Sequence, residues 1–239
     1  MPRLVVVRHG QASIHKADYD ELSDKGRAQA TALGEHLAAQ GIAFDTVFVG
    51  PARRHRDTAG LAGEAMVAAG KDWPEAVSVP TLDEHDAFSL VRGAVSMLAD
   101  DPEIAARQKG LLEAQTPAAR SQNFQRLFEV IMLRWLAGEL SVEGVESWPQ
   151  FKSRVLQALD TMQAQMGSGS RAIAFSSVGP LAVLLQRALE TDDATSFRTA
   201  WRIRNASLTT LVFDRQGRVT LDGFNALPHL PDPRAWTFR

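Results

Sequence analysis

The stretch Leu4-Val5-Val6-Val7-Arg8-His9-Gly10 runs four apolar, mostly β-branched residues into an arginine, a histidine and a glycine. An apolar run this short, with no polar alternation, reads as a strand buried on both faces, and glycine ends it in a turn. Two further segments have the same form. Asp45-Thr46-Val47-Phe48-Val49 stops at Gly50-Pro51, and Ala172 to Phe175 stops at Ser176-Ser177-Val178-Gly179. Val77 to Leu82 reads as another short strand.

Helical segments separate these strands. One is expected from about Ser23 to Gln40, with Ser23 as N-cap, Asp24 at the positive end and Gly41 as the stop. Its Ala30, Leu33 and Leu37 share a face. A second follows Pro51 and runs to about Ala69. Short joins in β-loop-α-β-α order predict an α/β fold: a doubly wound, mostly parallel sheet with helices on both faces. From about His85 to Val145 the rhythm breaks into amphipathic helices, Pro102 to Ala114 and Gln122 to Leu136. This reads as a helical cap inserted into a single domain over residues 1–239. Ser147-Trp148-Pro149-Gln150 is a capping box, with Phe151, Val155, Leu159 and Met162 behind it at helical spacing. An apolar helix is expected to Leu189, then a hairpin of Ser207 to Phe213 and Arg218 to Phe224, and a proline-rich irregular tail.

The 239 residues are 45% hydrophobic and carry a formal net charge of −2, so neither nucleic acid nor an anionic membrane is an expected partner. With no cysteine there is no disulfide, thiolate zinc site or cysteine nucleophile. The opening apolar run is too short for a signal peptide, and no stretch approaches the ~20 apolar residues of a membrane helix. The expected location is cytoplasmic.

The chemistry gathers where strands end. Doubly wound sheets bind ligands at the carboxyl ends of their strands. His9 can attack phosphorus there, Arg8 can fork onto phosphate oxygens, and Gly10 lets the backbone come close. Read alone, the tripeptide is more simply a surface Arg-His in a turn, and its position at a strand end favours the chemical reading. After the second strand come Arg53, Arg54 and Arg56, in the first turn of a helix whose dipole they oppose. An anion at that helix start accounts for Arg54, while Arg53 and Arg56 read as a solvated face or salt-bridge partners. Leu82-Asp83-Glu84-His85-Asp86 offers a carboxylic acid for a leaving oxygen, or else a solvated acidic turn.

In this order the pieces resemble the histidine phosphatase (phosphoglycerate-mutase-like) superfamily. The likeness rests on strand-Arg8-His9-Gly10, on Pro51-x-x-Arg54-x-x-x-Thr58-Ala59, and on Leu82-x-Glu84. Leu22-Ser23-Asp24-Lys25-Gly26, Gln29-Ala30, Glu146-Ser147-Trp148 with Phe151 and Arg154, and Asn205-Ala206-Ser207 support it. It spans about residues 3 to 225. The resemblance implies a metal-independent phosphatase, needing no cofactor, that hydrolyses a small phosphomonoester. His9 would become phosphohistidine, Arg8 and Arg54 would hold the non-bridging oxygens, and Glu84 would serve as acid and then base. The insertion would match the family's variable, substrate-selecting region.

Two departures stand out. The family places a second histidine after the later strand, and here Ser177 occupies that position. Three readings are open. Ser177 donates in its place and leaves a slower enzyme; His15, His55 or His85 fills the gap; or the protein binds phosphorylated ligands without turning them over. His15 falls where mutase-like members carry a phosphate-facing asparagine. Gln11-Ala12-Ser13 replaces the Glu-Ser or Glu-Thr of mutases, which favours phosphatase over mutase. Oligomeric state is left open.

Overall fold

The computed structural model describes residues 1–13 and 20–238. The chain divides into two compact units, one of Met1–Glu84 with Arg154–Arg239 and one of His85–Ser153.

The first unit is built on a six-stranded sheet. Its strands are β1 (Arg3–Arg8), β2 (Thr46–Val49), β3 (Ala76–Ser78), β4 (Arg171–Ser176), β5 (Leu208–Phe213) and β6 (Val219–Ala226), in the order β3-β2-β4-β1-β5-β6. β3, β2, β4 and β1 run parallel, whereas β5 and β6 are the expected antiparallel hairpin. The register decides which residues meet where the strands end. Arg8 lies opposite Ser176 across β1 and β4, and Val49 lies opposite Phe175 across β2 and β4. His9, Gly50 and Ser177 therefore leave the sheet side by side.

Helices α1 (Asp24–Ala39) and α2 (Arg53–Ala68) follow β1 and β2. Ser23 caps α1 by accepting from the Gly26 amide at 3.1 Å. A buried cluster of Val7, Leu33, Leu37, Val47, Met66 and Phe175 joins both helices to the sheet. At about 25 cal/mol per Å² of apolar surface removed from water, such side chains supply most of the drive to hold the strand ends in register.

The second unit carries α3 (Ala87–Met97), α4 (Pro102–Leu112) and α5 (Pro117–Leu136). Within it His85 stacks on Trp135, and Trp135 meets Trp148 edge-on, with ring centroids 5.2 and 5.4 Å apart. Helix α6 (Trp148–Ala164) begins at the expected capping box, where the Ser147 amide donates to Gln150 Oε1 at 2.8 Å. It leads back into the first unit, which is completed by α7 (Val178–Leu189) and α8 (Asp193–Ala200).

Several expectations are corrected. The strand expected over Val77 to Leu82 ends at Ser78, because Pro80 lacks an N–H and starts a 3-10 turn over Pro80–Leu82. Helix α5 starts at Pro117 rather than Gln122, since Thr116 caps it and proline suits its first position. Helices α3 and α8 were not expected. Both start at an aspartate whose side chain accepts a backbone amide, Asp86 from Ser89 and Asp192 from Thr195. Among the described residues, no helix is long and apolar enough to cross a membrane.

Candidate active site

Several chain segments of the first unit converge where β1, β2 and β4 end. His9 is 7% exposed, and its Nδ1 lies 2.7 Å from the Gly10 carbonyl oxygen. A carbonyl can only accept, so Nδ1 carries the proton and Nε2 keeps its lone pair. The backbone around His9 is held on every side. Its amide donates to Ser176 O at 2.9 Å, and its carbonyl accepts from Asn205 Nδ2 at 3.1 Å and from the Ala206 amide at 3.2 Å.

Gly10 is required by a close approach. A Cβ there would collide with the carbonyl of Gly26, and a Cβ on Gly26 would collide with the carbonyl of Gln11. The amide of Gly10 donates to Thr58 Oγ1 at 3.0 Å, and that hydroxyl donates to Arg54 O at 2.6 Å. The Arg54-x-x-x-Thr58 spacing is thus one helical turn that ties the start of α2 to the loop carrying His9.

Arg54 reaches two ways. One Nη donates to Asp20 Oδ1 at 2.6 Å, and the other donates to Ser177 Oγ at 3.2 Å. Asp20 also accepts from the Arg53 amide at 2.7 Å, so the anion expected at the start of α2 is here a carboxylate of the protein itself. Burial raises the Asp20 pKa, but the Arg53 amide and the Arg54 guanidinium outweigh it and hold the carboxyl below its usual range. Arg8 is also 7% exposed, and two of its N–H groups donate to main-chain carbonyls, those of Ile203 and Phe238.

Glu84 accepts from the Gly179 amide at 3.0 Å, at the start of α7. Arg154 secures the turn that presents it, donating to the carbonyls of Thr81, Asp83 and Glu84 at 3.0, 2.7 and 3.3 Å. Beside it, burial raises the pKa of Asp83. Ser177 is the N-cap residue of α7, yet its side chain makes no capping bond. Its oxygen is turned instead to Arg54 and to His55 Nε2, which lies 2.6 Å away.

Of the two described histidines proposed for the gap left by Ser177, His55 is the one in the first unit. It is fully buried, and its ring centroid is 5.8 Å from that of His9. His85 stacks in the second unit, and His15 lies outside the described residues. The other sequence-expected residues, Arg8, His9, Arg54, Glu84 and Ser177, all fall in the first unit. Asp20 was missed, because a carboxylate 34 positions from Arg54 in a polar loop carries no spacing signal. Among the described residues no three His, Asp or Glu side chains gather as a metal-ion cluster.

Burial, then the charges of Arg54 and Arg8, hold the pKa of His9 well below 6.5, against the pull of the Gly10 carbonyl. Burial and then Arg54 push His55 down to about 3, although Glu84 and Asp20 oppose this. The stability consequence has a definite sign. Between pH 6.5 and about 3 the unfolded chain binds a proton at position 55 that the folded chain refuses. Stability from this group is therefore complete above 6.5 and falls as pH falls, by about 1.4 kcal/mol per pH unit. Urea melts from pH 7.5 to pH 5 are expected to show this loss together with those of His9 and His229, whose pKa values burial also lowers, and His55→Gln is expected to make the slope shallower without abolishing it. An equal slope in the variant would show that His55 is not one of the groups responsible.

Comparison with known proteins shows the family and the fold. A model of the histidine phosphatase superfamily (branch 1) matches residues 4–87 and 88–226. A 2,3-bisphosphoglycerate-dependent phosphoglycerate mutase of Sphingopyxis alaskensis is 37% identical over 83 residues, covering 30% of this chain and only 36% of the mutase. Phosphoserine phosphatase from Entamoeba histolytica, solved with 3-phosphoglyceric acid, superposes with a TM-score of 0.63 at 19% identity, covering 96% of this chain and all of that one. Phosphoglycerate mutase from Bacillus anthracis gives a TM-score of 0.63 at 18% identity, covering 95% of this chain and 94% of that one. At such identities these two structures establish the shared fold.

Proposed function

Because the chain belongs to the histidine phosphatase superfamily (branch 1), we propose that it is a metal-independent phosphomonoester hydrolase working through a phosphohistidine at His9. The observation that carries this reading is the His9 ring itself. It is neutral, is protonated on Nδ1 by its bond to Gly10, and has Nε2 left as the nucleophile beside two arginines.

In the first step Nε2 of His9 forms a bond to phosphorus as the P–O bond to the alcohol breaks. Glu84, as a carboxylic acid, gives its proton to the departing oxygen. In the second step water attacks phosphorus, Glu84 as carboxylate takes the water's proton, and the P–N bond returns its electron pair to Nε2. The sum is phosphomonoester plus water giving alcohol plus phosphate. Arg54 and Arg8 stabilise the charge spread over the non-bridging oxygens, which is the main demand of phosphoryl transfer. Arg54 must exchange its contact with Asp20 for phosphate oxygens as substrate enters. Substrates in the small phosphorylated acid class are the first to try, since relatives act on phosphoserine or were solved with 3-phosphoglyceric acid.

The partial match to a mutase favours one second reading, in which the phosphoryl group passes to another acid rather than to water. Phosphate release from p-nitrophenyl phosphate and from 3-phosphoglycerate in EDTA separates the cases. Hydrolysis is expected to proceed at an undiminished rate with chelator present. Loss of turnover in EDTA would overturn the metal-free reading. Isomerisation of 3-phosphoglycerate without phosphate release would favour the mutase. Saturable vanadate binding without turnover would leave a binding protein.

A further inference from the structure

Ser177 Oγ has two hydrogen-bond neighbours among the described residues, Arg54 Nη2 at 3.2 Å and His55 Nε2 at 2.6 Å. Arginine can only donate. What His55 does depends on its tautomer, and the surroundings of its other nitrogen decide that. Nδ1 is buried with no hydrogen-bond partner among the described residues, and it faces Gly50 so closely that a Cβ at Gly50 would collide with it. A proton on Nδ1 would be a buried N–H crowded against Gly50 with no acceptor among the described residues, whereas a bare lone pair there is the less costly of the two orphans. The proton therefore resides on Nε2, and His55 donates to Ser177 Oγ. With one donor from Arg54 and one from His55, both lone pairs of the serine oxygen are occupied.

We infer that this double donation leaves the Ser177 hydroxyl only one use, to give its own proton to a non-bridging oxygen of the phosphoryl group held between His9 and Arg54. His55 is then a positioning residue. It never touches substrate, but it fixes the direction of the Ser177 O–H. Three independent features make the arrangement. Gly50 supplies the room for the imidazole. Glu84 takes the Gly179 amide and so relieves Ser177 of capping α7. The β1–β4 register sets Ser177 beside His9. The two imidazoles of the site are consequently opposite tautomers, His9 protonated on Nδ1 and His55 on Nε2. The catalytic part of this inference rests on the phosphatase reading, but the tautomer does not.

Two measurements test it. Long-range ¹H–¹⁵N correlation spectra of the wild-type protein are expected to show His55 protonated on Nε2 and bare at Nδ1. The reverse tautomer overturns the inference, whatever the protein catalyses. In steady-state assays, Ser177→Ala is expected to lower kcat by on the order of 10²-fold with little change in KM. His55→Ala is expected to lower kcat by on the order of 10-fold or more, His55→Gln to recover part of that loss through its amide N–H, and the double variant to be no worse than Ser177→Ala alone. Multiplied losses in the double variant, or an unchanged kcat in His55→Ala, overturn it. Should His55→Ala fail to fold, the His55→Gln and Ser177→Ala pair gives the same comparison. Turnover that survives His9→Ala counts against the phosphatase reading alone. In the absence of wild-type turnover, parallel weakening of vanadate binding in the Ser177 and His55 variants carries the test.

Discussion

His9→Ala is expected to reduce hydrolysis of p-nitrophenyl phosphate by on the order of 10⁴-fold or more, while leaving the fold and vanadate binding in place. The loss is large because the proposed chemistry has no other nucleophile in hand. Truncation removes a bond-forming atom, and no neighbouring group has the same geometry. His55 is close, but its Nε2 is committed to Ser177 Oγ at 2.6 Å. The fold is expected to survive because the backbone of residue 9 is held by Ser176, Asn205 and Ala206, none of which contacts the ring in doing so. Retained vanadate binding is expected because Arg54 and the start of α2 remain in place. Steady-state rates and a vanadate titration check both halves. Residual turnover within about 10-fold of wild type would mean that another group takes the phosphoryl transfer.

Arg54→Lys is expected to lower kcat by on the order of 10²–10³-fold, although charge is conserved. The reason is geometric. The guanidinium is a planar fork whose two ends already reach in different directions, to Asp20 and to Ser177. Lysine offers one compact ammonium, which cannot span both or clamp two oxygens of a phosphoryl group. Loss of the Ser177 contact also removes one of the two donors that aim its hydroxyl, so the damage exceeds that of a single missing contact. The comparison variant is Arg53→Lys, which lies on the exposed side of the same turn and is expected to stay within about 2-fold of wild type. Equal effects at positions 53 and 54 would contradict the assignment of Arg54 to the pocket.

The sheet was legible because its central strands announce themselves. Leu4–Val7, Val47–Val49 and Ala172–Phe175 are continuous apolar runs, ending at Arg8, Gly50 and Ser176 where the site forms. The cap of α1 at Ser23 and the capping box at Ser147 were equally readable, since each is a local bond between residues three apart. Local signals gave out where other terms took over. Pro80 cut short an otherwise convincing strand, and α3 hid behind Gly93, a poor helix former that its sequence neighbours do not explain. Gly93 has a tertiary reason, because a Cβ there would collide with Val142.

The site was legible in its motifs and not in its wiring. His9 could be named as a candidate from its position after a strand, and the resemblance to the family singled out Arg54, Glu84 and Ser177. That His55 meets Ser177 could not be derived, because 122 residues separate them and no periodicity relates them. Arg8 was read as a phosphate ligand from its neighbours alone, and the sequence held no hint that the carbonyls of Ile203 and Phe238 would grip its guanidinium. Long-range polar contacts depend on which loops face each other, and only the folded register reveals that.

The most direct test of the central claim is to trap the phosphoenzyme. Enzyme mixed with a phosphomonoester for milliseconds, quenched in alkali and digested for mass spectrometry, is expected to carry phosphate on Nε2 of His9, with a linkage stable to base and cleaved by acid. Phosphate found on Ser177, or turnover with His9 unmodified at every time point, would contradict it.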